Sequence, residues 1–194
     1  MSSRETLAEK LIGYSRIVFV CEGTNEEAVI RWMLETGCLC IEGNQCDFDH
    51  LRSARTKKGK KDLIQNCLKY DMGDNSRKIG IVYILDSKAE KWTLRGIAAE
   101  RIDIVRVITS PEIEVLLTFK DLAIQRAWAK ECKSDSRHPS IFVEQYFSID
   151  NIKNGKNFCE AFGTIDSLRQ AAQSYKTQKH PKEYCLFDLF REMP

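Results

Sequence analysis

Three runs in the chain are almost wholly aliphatic, β-branched or aromatic: RIVFVC (16–21), KIGIVYILD (78–86) and IDIVRVIT (102–109). A strand with one wet face alternates apolar and polar residues. A nearly unbroken apolar run marks a strand covered on both faces. The stretches between them read differently. NEEAVIRWMLET (25–36) carries an apolar stripe of Ala28, Ile30, Trp32, Met33 and Leu34, with Asn25 as the expected N-cap and Gly37 as the stop. KDLIQNCLKYD (61–71) is a second helical pattern, and CLCIE (38–42) an expected second strand. Strands alternating with helices predict an α/β fold with a mainly parallel sheet and flanking helices.

After Pro111 the pattern turns helical: PEIEVLLTF, LAIQRAWAKE, PSIFVEQYFS, KNFCEAF and TIDSLRQAAQSYKT, the last capped by Thr164. At 194 residues the chain suits one domain, or one domain with a small appendage. The expected division is an α/β domain over 1–125 and a helical C-terminal extension over 126–194 packed on it, with the polar turn at 133–139 as a hinge. No apolar run approaches the ~20 residues of a membrane helix, and the first residues lack a signal-peptide core, so a cytoplasmic location is expected. The eight cysteines then read as reduced, mostly buried residues. The cluster Cys38, Cys40, Cys46 and His50 has Cys-x-Cys spacing that fits zinc poorly.

Each apolar strand runs into acid. Glu22 follows 16–21, with Glu26 and Glu27 a few residues on. Asp86 follows 78–85, and Glu112 and Glu114 follow 102–109. In open parallel sheets ligands bind at the carboxyl ends of the strands. Acids gathered there repel one another and raise their own pKa values, a cost relieved by a cation between them. Oxygen-only ligands suit Mg²⁺ or Mn²⁺, which activate water and clamp a phosphodiester. Acids are also common at helix starts, where the macrodipole favours them, and that reading covers Glu26, Glu27 and Glu112 one at a time.

FVCEGTNEEAVI resembles the first motif of Toprim domains, a strand followed by Glu-Gly and a further acid. IVYILDSK resembles the second, a strand ending in Asp-x-Asp. TSPEIEVLLTF is similar to the Pro-x-x-Glu segment of RloB-like and OLD-like Toprim proteins, and HPSIFVEQYF and TIDSLRQAAQSYKT are placed like C-terminal helices of RloB-like proteins. The resemblance spans about 16–175. It implies a Toprim-like fold, a Mg²⁺- or Mn²⁺-dependent nuclease and a role in defence against foreign nucleic acid. It implies Glu22, Asp86 and Glu112 as catalytic acids, and Glu22, Glu26, Asp86, Glu112 and Glu114 as metal ligands.

The chain departs from this pattern at Lys88, where the second Asp of Asp-x-Asp would stand. Either Glu90, Glu112 or Glu114 substitutes, or one metal site is lost, or the domain is a catalytically degenerate relative that binds nucleic acid or a partner. Local basic charge adds to the nucleic-acid expectation. Arg52, Arg55, Lys57, Lys58, Lys60 and Lys61 crowd one loop, readable as a solvated segment or as a phosphate-binding patch with Lys88, on DNA or RNA. Trp92 sits beside the expected site as a stacking platform or as core, and Trp32 reads as core. His50, His138 and His180 read as surface residues. With no G-x-x-x-x-G-K-[ST] loop, any ATPase acting here is expected as a partner encoded nearby, and no membrane partner is expected.

Overall fold

The structure is a computed structural model that describes residues 5–47, 56–70, 77–87, 90–131 and 138–192. Four strands form one sheet: β1 (Arg16–Cys21), β2 (Cys46–Asp47), β3 (Ile79–Leu85) and β4 (Ile102–Ile108). Their order is β2-β1-β3-β4 and every pairing is parallel, with Cys21 opposite Ile84 and Leu85 opposite Ile108. This is the α/β parallel sheet the alternating pattern predicts, and it agrees with a Toprim-like fold.

The apolar runs are explained by parity. Ile17, Phe19, Cys21, Val82, Ile84, Val105 and Val107 enter one core cluster. Val18, Val20, Ile81, Tyr83, Leu85, Ile102 and Ile108 enter a second one. Neighbouring side chains point to opposite faces, and both faces are roofed. Each such side chain contributes about 1.5–3 kcal/mol on burial.

Helices α1 (Leu7–Ile12) and α2 (Thr24–Glu35) pack on the first face. So do α5 (Leu122–Glu131), α6 (Pro139–Phe147), α7 (Gly155–Phe162) and α8 (Ile165–Lys179). The single cluster they share with β1, β3 and β4 joins the C-terminal helices to the sheet. Helix α3 (Lys57–Tyr70) covers the second face with Leu63 and Cys67, and the short α4 (Ile97–Arg101) leads into β4. No helix among the described residues is long and apolar enough to cross a membrane.

Four local expectations need correction. The second strand is Cys46–Asp47, not 38–42: Leu39 instead forms an isolated antiparallel bridge with Phe190. Cys40 N–H donates to Leu189 O, and Arg191 N–H donates to Cys38 O. Asn25 is not the cap of α2. Gly23 holds that position and Asn25 is buried inside the first turn. PEIEVLLTF becomes a 3₁₀ helix over Ile113–Phe119. Lastly, the basic stretch is not all loop. Thr56 accepts Gly59 N–H on its hydroxyl and Lys60 N–H on its carbonyl, so the helix starts at Lys57, ahead of the expected 61. Gly37 does stop α2, at φ +67°, with Cys38 N–H returning to Met33 O. Thr164 does cap α8, accepting from Ser167 N–H.

The expected hinge falls largely on 132–137, outside the described residues. The seven described cysteines form no disulfide, and only Cys21, Cys67 and Cys185 are fully buried. Burial pushes the Cys40 thiol up to about 11 and the Cys46 thiol to about 12, so both are protonated at neutral pH. His50 lies outside the described residues.

Candidate functional site

Strands β1 and β3 end side by side, and their pairing continues beyond β1, where Glu22 N–H donates to Ile84 O. Glu22 and Asp86 therefore start adjacent turns at the carboxyl edge. Glu22 Oε2 accepts Asp86 N–H at 3.0 Å. The next residue, Gly23, has φ −120°, a conformation open to any residue. Its role is space: a Cβ there would lie 2.2 Å from Glu26 Oε2. The Glu-Gly pair thus lets the Glu26 carboxylate fold back against the backbone beside Glu22.

The 3₁₀ helix after β4 brings the third segment, and the peptide bond before Pro111 that leads into it is cis. Glu114 is 5% exposed and accepts Asn25 Nδ2 at 2.7 Å. The same Nδ2 donates to Ile152 O at 2.9 Å, and Thr24 Oγ1 donates to Lys153 O at 2.7 Å. These bonds pin the loop between α6 and α7 to the first turn of α2 and bring Lys153 into the site. Glu22, Glu26, Asp86, Glu112, Glu114, Asn25 and Lys153 line one cleft of about 340 Å³. Five acids from three separate stretches are in one place, as the strand-end argument expects.

The electrostatics divide these acids. Burial, first of all, raises Glu22, Glu26 and Glu114, and Glu26 reaches about 7. The neighbouring carboxylates add to the rise: Asp86 on Glu22, Glu114 on Glu26, Glu112 on Glu114. Desolvation is thus the larger cause and mutual repulsion the smaller, the reverse of the emphasis drawn from sequence. Glu112 goes the other way. Burial would raise it, but hydrogen bonds from Lys153 and Ser140 outweigh that and hold it below the usual carboxylate range. Lys153 Nζ lies 3.1 Å from Glu112 Oε1, His138 Nδ1 lies 3.3 Å from the same oxygen, and Ser140 N–H donates to Oε2 at 3.3 Å. Glu112 is therefore tied to a lysine ammonium, whereas Glu22 and Glu114 accept from neutral amide donors.

The donors suit an oxygen-seeking divalent ion in kind. They are carboxylates plus the Asn25 Oδ1 atom, which is buried and meets no hydrogen-bond donor among the described residues. They are not pre-assembled: among the described residues no group of three or more His, Cys, Asp or Glu side chains is arranged to hold a metal ion. Glu90, one of the residues that could substitute at the position of Lys88, is engaged with in-chain partners. It forms an ion pair with Lys60 and accepts Tyr83 Oη at 2.8 Å, in a second hollow of about 260 Å³ shared with Glu22.

The basic stretch divides too. Lys57, Lys58 and Lys61 are exposed on the first turns of α3, Lys60 is engaged with Glu90, and Arg52, Arg55 and Lys88 lie outside the described residues. Trp92 is half-buried, edge-to-face with Tyr83 at 5.6 Å, which makes it part of the second core rather than an open platform. Trp32 is only partly buried against the first core. Sequence reading missed Lys153 and the contact of His138 with Glu112; both reach the site from remote loops and carry no local signature. Comparison with family models, with curated proteins and with solved structures yields no match.

Proposed function

We propose that the cleft is the active site of a divalent-cation-dependent phosphodiesterase acting on nucleic acid, that is, a nuclease of Toprim type. The observation that supports this best is the gathering of Glu22, Glu26, Asp86 and Glu114 in one cleft at the carboxyl edge of a parallel sheet. Buried acids with raised pKa values carry an energetic cost that a bound cation would remove. Glu22, Glu26, Asp86 and Glu114 are the residues that would hold Mg²⁺ or Mn²⁺, which supplies an acidified water and charge for the phosphate. Lys153, held by Glu112 at the rim, would offer its ammonium to a phosphate oxygen. A defence role and an ATPase partner rest on the Toprim resemblance alone.

A second reading is a degenerate, non-catalytic binding module. The absence of a pre-assembled ligand group among the described residues favours it. Titration of Mn²⁺ by calorimetry, run beside a cleavage assay on single- and double-stranded DNA and RNA, separates the two. The nuclease reading expects binding and cutting by the wild type, both abolished in Glu22→Gln and Asp86→Asn. Neither binding nor cutting by the wild type, alone or with a partner ATPase, selects the binding module.

A further inference from the structure

Lys60 is the odd member of the basic stretch. On a helix with about 100° per residue, positions 60, 63, 64 and 67 form one stripe. Leu63 and Cys67 on that stripe are buried in the second core, and Ile64 packs against it. Lys60 therefore points toward the sheet. Its side chain is only 17% exposed, and its ammonium is paired with Glu90. It lies 4.9 Å from the centre of the Tyr83 ring and 5.1 Å from that of Trp92. Tyr83 in turn donates to Glu90, and Trp92 meets Tyr83 edge-on. The ammonium is thus held by a carboxylate and two aromatic rings, a seat with a cation–π component. Lys57, Lys58 and Lys61 lie on a face turned about 60–160° away, and all three are exposed.

The seat adjoins the acid cleft. Tyr83 and Glu90 share a hollow with Glu22, and Tyr83 stands on β3 three residues before Asp86. The hydrogen bond from Lys60 holds Glu90 ionised below its usual range.

We propose that Lys60 and Glu90 are positioning residues. Their ion pair latches the start of α3 to the carboxyl edge of the sheet, so that Lys57, Lys58 and Lys61 face the phosphates of a nucleic acid entering the acid cleft. This rests on the nucleic-acid reading above and refines it: Lys60 is taken out of the phosphate-binding set and Glu90 is added to the substrate-binding machinery.

The sign of one substitution carries the test. Glu90→Gln removes a negative charge near a polyanion's path. Long-range electrostatics alone therefore predicts equal or tighter binding. The latch predicts weaker binding, by roughly tenfold, the size of one such interaction. Labelled single- and double-stranded oligonucleotides, DNA and RNA, would be titrated by fluorescence anisotropy across salt concentrations. The proteins are wild type, Glu90→Gln, Lys60→Met and the swapped pair Lys60→Glu/Glu90→Lys. Hydrogen exchange over 57–70 is read on the same proteins without ligand. The latch expects Glu90→Gln and Lys60→Met to weaken binding and speed exchange, and the swapped pair to recover part of both, since a carboxylate at position 60 keeps the ion pair but loses the cation–π contacts.

Equal or tighter binding by Glu90→Gln, with unchanged exchange and a salt slope lowered by about 0.9 in Lys60→Met alone, would make Lys60 a direct phosphate contact and overturn the proposal. A wild type that binds no oligonucleotide would sink the nucleic-acid reading and this use of α3 together. The exchange data would then decide separately whether the pair anchors the helix.

Discussion

Glu26 shows how much one side chain can cost its fold. It is 6% exposed, and burial lifts its carboxyl to about 7. A folded-state value above the unfolded 4.5 means that the native protein binds more protons than the unfolded chain between those two pH values. Stability then falls as pH rises from about 4.5 to 7, and the deficit persists above 7. Glu26→Gln should therefore be near neutral at pH 4 and stabilise the protein at pH 8 by about 2–3 kcal/mol, read from urea unfolding midpoints at the two pH values. No gain at pH 8 would mean that Glu26 is not held protonated. Glu22, Asp86 and Glu26 were legible in the sequence because each lies within a few residues of a strand end, so local pattern sets their place. Lys153, His138 and the partnership of Lys60 with Glu90 were not. They meet the site through contacts 26 or more residues apart in the chain, which no local spacing encodes.

At the scale of elements, the entry of α2 into the site depends on how closely α7 approaches it. A Cβ on Gly155 would sit 2.4 Å from Ala28 Cβ and 3.1 Å from Thr24 O. Glycine to alanine inside a helix usually stabilises, because it restricts the unfolded chain. Here the overlap should reverse the sign. Gly155→Ala is expected to destabilise by about 1–3 kcal/mol in urea denaturation and to weaken Mn²⁺ binding, since Thr24, Asn25 and Glu26 share the displaced turn. A neutral or stabilising outcome would show that the two helices can part freely. The major strands and helices were readable from periodicity because each has a long, consistent pattern. The segment at 38–42 was misread because its alternation of apolar residues fits a strand, whereas its backbone partners come from 189 to 191, a pairing invisible to local pattern. The start of α3 was misread because charge density suggested a loop, while the Thr56 cap and the stripe from Lys60 through Cys67 specify a helix.

The sheet and its two cores make the whole molecule, and the parallel order follows from strands that must be roofed on both faces. The last described residues close the first of those cores. Leu186, Leu189 and Phe190 are buried there, Tyr184 O accepts Ile108 N–H at the edge of the sheet, and Tyr184 Oη donates to Glu5 O. Removing residues 184–192 would take away those three side chains and the burial they bring, a loss of roughly 5–9 kcal/mol against a typical total of about 5–15. Such a truncation should lose its cooperative unfolding transition by circular dichroism, and a sharp transition retained would show the segment to be dispensable. This late closure bears on biosynthesis. A chain made from its N-terminus displays its bare apolar strands to the cell before the residues that seal them exist. Until residues 184–191 leave the ribosome, the nascent polypeptide offers hydrophobic edges to its neighbours, so shielding by a chaperone matters until that segment emerges.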